Sequence, residues 1–335
     1  MNPGTTDLPL IAVVGPTASG KSALGVWLAE QFGGEVLACD STQPYRGFDI
    51  GTAKPGLAER RGIPHHLIDI LTPGEEATAG GYRQMAVIAL EDLRSRGRAP
   101  ILTVGTGLYL RALLEGLAEV PQRSEELRER LRASAKVHGP SYLHRLLKHL
   151  DAEAAGKIAA ADAQKLIRAI EVCVLARRPV SELHRTGRIP LEGWRAVKIG
   201  LMPPRAALYE RIRARTDAML AGGWMEEVRG LMDSGLPEHA KPFDFIGYRE
   251  LRGVLRGETK LEETRLAIQQ ATRRYAKRQL TWFRKETGVH WLAGFGDAPR
   301  LQDEVREWLR QQGLAERVKP SKNVTRATHV APFDM

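Results

Sequence analysis

The chain has 335 residues, of which 43% are hydrophobic and 27% charged, and this composition is typical of a globular protein with one large core or two domains. It contains no apolar run of about 18 residues, no signal-peptide pattern in residues 1–7, and only two cysteines, which excludes a membrane span and a disulfide framework. We therefore expect a cytoplasmic protein with no membrane partner. The formal net charge of +10 permits a polyanionic partner such as nucleic acid.

The first predicted strand is the apolar run at residues 10–14, and it leads into a phosphate-binding loop. Residues 15–22 match the pattern G-x-x-x-x-G-K-[ST], and residues 22–31 follow with helical periodicity. In such a loop, backbone N–H groups and a helix N-terminus converge on an anion, Lys21 neutralises phosphate oxygens, and the Ser22 hydroxyl binds Mg²⁺. We predict that a diphosphate or triphosphate binds to Gly15, Pro16, Thr17, Ala18, Ser19, Gly20, Lys21 and Ser22.

Strand and helix patterns continue to alternate after this loop. Further strands are predicted at residues 35–39, 66–70 and 101–104, and an amphipathic helix at residues 82–94. Such alternation indicates a parallel sheet with helices on its faces. The fold class that we predict is α/β, with a P-loop NTPase-like parallel sheet flanked by helices.

Two polar residues follow predicted strands of this sheet. Asp40 comes directly after the second strand, and Thr106 lies between Gly105 and Gly107 after the fourth. Ligands bind beyond the carboxyl ends of the strands in open parallel sheets, so both side chains are expected at the phosphate site. Asp40 could act as a general base, bind Mg²⁺ or cap a turn, and Thr106 could contact the ligand or cap a helix.

The pattern changes in the middle of the chain. Helices are predicted at residues 125–136, 141–149 and 163–176 with no strand between them, so residues 121–190 are interpreted as an inserted all-helical domain. The core domain then comprises residues 1–120 and 191–312, with a strand at 196–201 and helices at 205–220, 225–234 and 261–285. Residues 313–335 are polar and basic, and we expect a disordered tail there.

Two basic segments lie in the second part of the core domain. Arg211 and Arg215 are one helical turn apart, so they could clamp a diphosphate or lie on a solvated face. Residues 272–285 combine many cations with aromatic residues, which suits contact with a nucleic-acid backbone. The alternative interpretation of that segment is an amphipathic helix with Trp282 and Phe283 in the core.

Taken together, these motifs resemble those of the tRNA dimethylallyltransferases, also called isopentenyl-diphosphate:tRNA isopentenyltransferases. The resemblance extends from about residue 10 to residue 309 in the family's order. It is carried by residues 15–22, 40–41, 47–55, 64–69, 105–109, 162–171, 211–215, 247–250 and 275–284.

The resemblance implies transfer of a dimethylallyl group from dimethylallyl diphosphate to the exocyclic amine of the adenosine 3′-adjacent to the anticodon. It implies Mg²⁺ as cofactor and the anticodon stem-loop of tRNA as partner, and we expect a monomer. It further implies that Asp40 is the general base, that Thr106 holds the reacting groups and that Arg215 stabilises the leaving diphosphate. The residues implied to contact tRNA are Asp40, Ser41, Thr42, Gln43, Thr106, Arg128, Gln164, Lys165, Leu166, Ile167, Arg168, Lys277, Arg278, Gln279, Leu280, Thr281, Trp282, Phe283 and Arg284.

Three other functions share parts of this pattern. A P-loop kinase of a small molecule would use the same loop, but Val104 and Gly105 stand where such enzymes usually carry a Mg²⁺-binding aspartate. Prenylation of free adenine nucleotides would not need the basic helix or the insertion. An RNA-binding protein with an inactive loop would not need an intact Lys21 and Asp40.

Overall fold

The computed structural model describes residues 7–139 and 141–314, so the predicted tail is outside the described residues from 315 onward. The chain divides into two compact units, one formed by Met1–Leu110 with Gly193–Met335 and the other by Arg111–Glu192. The second unit begins ten residues before the predicted insertion, because its contacts include the end of a helix that starts at Gly107. Among the described residues, no helix is both long and apolar enough to cross a membrane.

The first unit is built on one six-stranded sheet in the order β3-β2-β4-β1-β5-β6, and all neighbouring strands are parallel. The predicted α/β class with a parallel sheet is thus confirmed. The strands are β1 (Leu8–Val14), β2 (Gly34–Cys39), β3 (His65–His66), β4 (Ala99–Val104), β5 (Trp194–Leu201) and β6 (Val289–Leu292).

Helices flank the sheet and fill the connections between strands. In the first unit they are α1 (Lys21–Phe32), α2 (Leu57–Arg60), α3 (Ala79–Ser95), α10 (Arg205–Ala221), α11 (Trp224–Asp233), α12 (Tyr248–Leu255), α13 (Leu261–Phe283) and α14 (Pro299–Gln311). Helix α4 (Gly107–Glu115) crosses the boundary between the two units.

The third strand is much shorter than the apolar run at residues 66–70 predicts. Only His65 and His66 pair with β2, because Leu67 and Asp69 have φ angles of 64° and 55° and leave the extended conformation. The prediction of a five-residue strand was therefore wrong. The residues after His66 form a turn, and Arg46 Nε donates a hydrogen bond of 2.8 Å to the carbonyl oxygen of Asp69.

At least three apolar clusters stabilise the described part of the first unit, and two of them are large. The larger one joins the central strands to α1 and α14 and includes Ile11, Leu24 and Val305, none of which is more than 1% exposed. The other is rich in aromatic residues and packs α11 and α12 on a loop through Phe48, Trp224 and Tyr248. This second cluster supports the loop that follows β2, to which Phe48 belongs.

The second unit consists of helices in its described part. They are α5 (Glu125–His138), α6 (Tyr142–Leu150), α7 (Ala152–Lys157), α8 (Ala163–Ala176) and α9 (Val180–Thr186). Its core packs α8 against α5 and α6 and includes Leu131, Leu147 and Ile170. A charged residue, Glu171, is fully buried in this unit.

Candidate active site

The phosphate-binding loop connects β1 to α1 at the carboxyl end of the central strand. Gly20 is the N-cap of α1 with φ of 86°, a left-handed conformation that favours glycine, and no side chain caps the helix there. The first N–H groups of a helix lack partners within it, so this end of α1 can bind an anion. Lys21 Nζ lies over the loop and donates hydrogen bonds to the carbonyl oxygens of Gly15 (3.0 Å) and Pro16 (2.8 Å).

Lys21, Arg215 and Asp40 are electrostatic neighbours in this site. Burial lowers the pKa of the Lys21 ammonium to about 7, the carboxylate of Asp40 acts in the opposite direction, and Arg215 adds to the lowering. Burial also lowers the pKa of Arg215, although a guanidinium stays protonated in proteins. The site around the phosphate loop therefore combines the cations of Lys21 and Arg215 with the carboxylate of Asp40. These residues lie on α1, on α10 and directly after β2.

Asp40 follows β2 directly, and its carboxylate is fixed by its neighbours. Its Oδ1 accepts hydrogen bonds from the Thr42 backbone N–H (2.8 Å) and from Thr42 Oγ1 (2.7 Å). Its Oδ2 lies against Gly105, where a Cβ would be only 1.9 Å away. Because Thr42 occupies Oδ1, the lone pairs of Oδ2 are the ones left for a ligand or a proton.

Thr106 connects the ends of β2 and β4. Its Oγ1 accepts a hydrogen bond from the backbone N–H of Ser41 (3.1 Å) and donates to Ser41 Oγ (3.2 Å). The backbone N–H groups of Gly105 and Thr106 both donate to the carbonyl oxygen of Cys39, at 2.9 and 3.0 Å. The structure thus brings the predicted residues Asp40, Ser41 and Thr106 together at one edge of the sheet.

Gln43 lies at the start of a long loop that follows Asp40. Its Nε2 donates to the carbonyl oxygen of Ala53 at 3.3 Å. Lys54, whose side chain is 3% exposed, donates to Asp49 and Asp69 (both 2.5 Å) and ties the loop to the turn after β3.

A carboxylate that sequence analysis did not single out holds the same loop from the other side. Glu227 of α11 accepts hydrogen bonds from the N–H groups of Asp49 (3.1 Å) and Ile50 (2.8 Å) and from the Tyr248 hydroxyl (2.5 Å). That hydroxyl accepts in turn from the N–H of Gly51 at 3.1 Å. Nothing in the spacing of the sequence relates residue 227 to residue 49, so only the structure could reveal this pair.

The two arginines of α10 have different partners. Arg211 forms a bidentate pair with Asp297 and lies over the ring of Phe295 at 4.6 Å. Arg215 lies one turn further on and donates to Thr17 Oγ1 of the phosphate loop at 3.3 Å. The two arginines therefore do not form a joint clamp in this structure. Arg211 is paired with Asp297, and of the two arginines it is Arg215 that contacts the phosphate loop.

The residues predicted to contact RNA at the end of helix α13 are partly buried and partly exposed. Phe283 is fully buried, Gln279 is 7% exposed and Leu280 is half-buried, so these three side chains offer little surface to RNA, and the tRNA contacts of the segment stay a prediction. Trp282 packs on Gly107, where a Cβ would be 2.1 Å from the indole ring. The exposed residues of the segment are Lys277, Arg278, Thr281, Trp282 and Arg284.

The predicted contacts in the helical unit divide in the same way. Leu166 and Ile167 are part of the core of that unit, so their side chains are not available to RNA. Arg128 and Arg168 both form ion pairs with the buried Glu171, at 2.8 and 2.6 Å. Gln164 and Lys165 are exposed on the first turn of α8.

The donor atoms for the predicted Mg²⁺ are few. Ser22 is exposed on the first turn of α1, and in the described part of the chain no group of three or more His, Cys, Asp or Glu side chains could hold a metal ion. Mg²⁺ usually keeps several waters and binds through one or two protein oxygens and substrate phosphates. A serine hydroxyl at the end of the phosphate loop fits that manner of binding.

Comparisons with known proteins agree on one family. The family model described as IPP transferase matches residues 43–286. A tRNA dimethylallyltransferase of Solibacter usitatus is 50% identical over 308 residues, covering 91% of this chain and all of that protein. A similar relative from Koribacter versatilis is also 50% identical, over 305 residues, 91% of this chain and 99% of the relative.

Solved structures give the same result. The tRNA isopentenylpyrophosphate transferase of Bacillus halodurans is 36% identical with a TM-score of 0.66, covering 91% of this chain and 96% of that one. A eukaryotic dimethylallyltransferase described as acting on tRNA is 26% identical with a TM-score of 0.76, covering 91% and 77%. The phosphate loop, the position of Asp40 and Thr106 at the ends of β2 and β4, and the matched relatives lead to one conclusion: this chain belongs to the IPP transferase family.

Proposed function

We propose that the protein transfers a dimethylallyl group from dimethylallyl diphosphate to the exocyclic amine of the adenosine 3′-adjacent to the anticodon in tRNA. The observation that carries this proposal is the arrangement of Lys21 and Arg215 at the phosphate loop with the carboxylate of Asp40 beside them. Such a site suits a reaction in which a diphosphate leaves while a proton is removed. The names of the relatives, which are tRNA dimethylallyltransferases, support tRNA as the acceptor.

In the proposed reaction, the bond between C1 of the prenyl group and the diphosphate oxygen breaks, and a bond from C1 to the adenine nitrogen forms. Negative charge then accumulates on the leaving diphosphate, and preorganised cations and N–H groups are the usual means of stabilising it. Lys21, Arg215 and the N-terminus of α1 provide these groups. Because Arg215 is bound to Thr17, its guanidinium is fixed before the donor binds.

The adenine amine is a poor nucleophile until it loses a proton. We assign this proton to Oδ2 of Asp40, since Oδ1 already accepts two hydrogen bonds from Thr42. Thr106 fixes Ser41 next to Asp40 and thereby orients the Asp40 carboxylate. The target adenine must leave its stack to reach the Asp40 carboxylate at the carboxyl end of the sheet. We therefore expect the target nucleotide to flip out of the anticodon loop.

We further propose that Mg²⁺ is a cofactor and that the Ser22 hydroxyl, with oxygens of the donor diphosphate, would hold it. The ion would supply Lewis-acid stabilisation of the leaving group. The tRNA contacts proposed from the exposed residues are Lys277, Arg278, Thr281, Trp282 and Arg284 on α13 and Gln164 and Lys165 on α8. A cytoplasmic monomer remains our expectation for the protein in the cell.

The direct test is incorporation of labelled dimethylallyl diphosphate into unmodified tRNA, with Mg²⁺ or with chelator and without ATP. We expect label on the adenosine next to the anticodon and release of one diphosphate for each group transferred. Label on AMP, ADP or ATP but not on tRNA would instead support a nucleotide prenyltransferase. ATP consumption with no label transferred would support a small-molecule kinase.

A further inference from the structure

The side-chain amide of Gln279 joins two loops that are far apart in the sequence. Its Oε1 accepts a hydrogen bond of 2.7 Å from the backbone N–H of Thr17, and its Nε2 donates one of 2.8 Å to the carbonyl oxygen of Gly105. Gln279 is only 7% exposed, its hydrogen bond to Gly105 is buried, and its hydrogen bond from Thr17 is partly buried. Buried amide hydrogen bonds of this kind are costly to leave unmade.

Each end of this bridge leads to a group of the proposed mechanism. On one side, Thr17 accepts a hydrogen bond from Arg215, which would stabilise the leaving diphosphate. On the other side, Gly105 is in contact with Oδ2 of Asp40, which would remove the proton. One amide thus connects the part of the site that holds the donor to the part that activates the acceptor.

The surroundings of Gln279 indicate a role within the protein. On the same helix, Lys277 and Arg278 are exposed, whereas Ala276, Gln279 and Phe283 form the buried face. The hydroxyl of Tyr275 also donates to the carbonyl oxygen of Gly105, at 3.4 Å. The buried face of α13 therefore supports the loop after β4, and its exposed face is the one available to RNA.

We propose that Gln279 is a positioning residue that fixes the distance between the phosphate loop and Asp40. The inference deepens the proposed function and rests on it, because it concerns the spacing of donor and acceptor in that reaction. Reacting atoms must be held about 3–3.5 Å apart, and a misplacement of about 1 Å can reduce the rate about 100-fold. Gln279 does not touch the reacting groups and acts through Thr17 and Gly105.

The test compares the variants Gln279→Leu and Gln279→Glu with the control variant Gln270→Leu. Gln270 is an exposed glutamine on the same helix. We expect Gln279→Leu to lower kcat about 100-fold, with KM for tRNA and for dimethylallyl diphosphate within about threefold of wild type. Gln270→Leu should leave kcat and both KM values unchanged. Melting temperatures of all three variants establish that they are folded under the assay conditions.

Gln279→Glu separates a hydrogen-bonding role from simple packing. It preserves the volume and the acceptor for Thr17, but an ionised carboxylate repels the carbonyl oxygen of Gly105, whereas a protonated one can donate to it. We expect the ratio of variant to wild-type kcat to rise as the pH is lowered toward the pKa of the new carboxyl. A ratio independent of pH would overturn the proposal.

Two other outcomes also decide the matter. A higher KM for tRNA with wild-type kcat at saturation would mean that Gln279 contacts RNA, and it would overturn the positioning role. If the wild-type protein transfers the group and Gln279→Leu has unchanged kcat, only this inference fails. A wild-type protein that transfers no group to tRNA would overturn the proposed function and, with it, the inference.

Discussion

Asp40 and Gly105 are in direct contact at the carboxyl end of the sheet. A Cβ on Gly105 would lie 1.9 Å from Oδ2 of Asp40 and 3.0 Å from its Cγ. Real Cβ atoms do not approach other atoms so closely, so the position requires glycine because of this contact. The carboxylate that we assign as base is therefore positioned partly by the absence of a side chain on the neighbouring strand.

The first prediction follows from this contact. Gly105→Ala should displace the Asp40 carboxylate and reduce kcat by about 100-fold or more, since a shift of about 1 Å has that effect. Gly80→Ala is the matched control, because Gly80 is in helix α3 with nothing within 4 Å of a Cβ. The control should retain full activity and gain up to about 1 kcal/mol of stability. Equal activity of the two variants in the tRNA labelling assay would contradict the prediction.

Asp40→Asn should separate binding from catalysis. The amide oxygen of asparagine can still accept the two hydrogen bonds from Thr42, so the loop should keep its conformation. It cannot take the proton, and we expect turnover to fall by orders of magnitude while the dissociation constant for tRNA stays within about threefold. Filter binding and single-turnover labelling measure the two quantities. Lost tRNA binding with retained turnover of bound tRNA would refute the assignment of Asp40 as base.

Anion binding at the phosphate loop should depend on pH through Lys21. Burial lowers the pKa of Lys21 from 10.5 to about 7, so the folded, ligand-free protein holds fewer protons than the unfolded chain between these values. Its stability should therefore rise with pH over that range, whereas its affinity for sulfate should fall. Sulfate competition against labelled dimethylallyl diphosphate, with Lys21→Met as control, measures the effect. An unchanged sulfate affinity above pH 7 in the wild type would disprove it.

The helical unit should lose stability in acid because of Glu171. Burial alone would raise the pKa of Glu171, but hydrogen bonds from Arg128, Arg168 and the N–H of Ser124 outweigh it and lower the pKa from 4.5 to about 2. The folded-state pKa is depressed, so the stabilisation is complete above about 4.5 and is lost as the pH falls through about 2. It amounts to about 3 kcal/mol at most. Amide exchange in α8 should show this dependence, and Glu171→Gln should flatten it.

Two cations of the helical unit should behave differently when removed. Lys165 is exposed and pairs with the neighbouring Asp162. Lys165→Ala should therefore weaken tRNA binding a few-fold and lower the number of ions released on binding by about one. Arg128→Ala leaves Glu171 with one fewer partner and should cost about 3 kcal/mol of stability. Chemical denaturation and salt-dependent tRNA binding distinguish the two. Equal stability losses in both variants would be incompatible with these assignments.

Much of the sheet was predictable because its strands are apolar runs bounded by glycine and proline. β1, β2, β4 and β5 are in the predicted places, and helix α8 has the predicted bounds. The four-residue strand β6 and helix α14 were not predicted. β6 has only four residues and is half-buried along most of its length, so its apolar run is too short to indicate a strand. The buried residues of α14, Leu301, Val305 and Leu309, are spaced four apart on one helical face, so a helical signal was present in the sequence and was missed.

The sequence by itself determined the phosphate loop, the parallel α/β fold and the positions of Asp40 and Thr106, because these depend on local spacing and on apolar periodicity. Only the tertiary structure decided which charged residues meet. It paired Arg211 with Asp297, directed Arg215 to Thr17, held the loop at residues 47–55 with Glu227, and buried Gln279 between two loops. These partners are separated by 86 to 262 residues in the chain, and hydrogen-bond geometry across such distances leaves no periodic trace in the sequence.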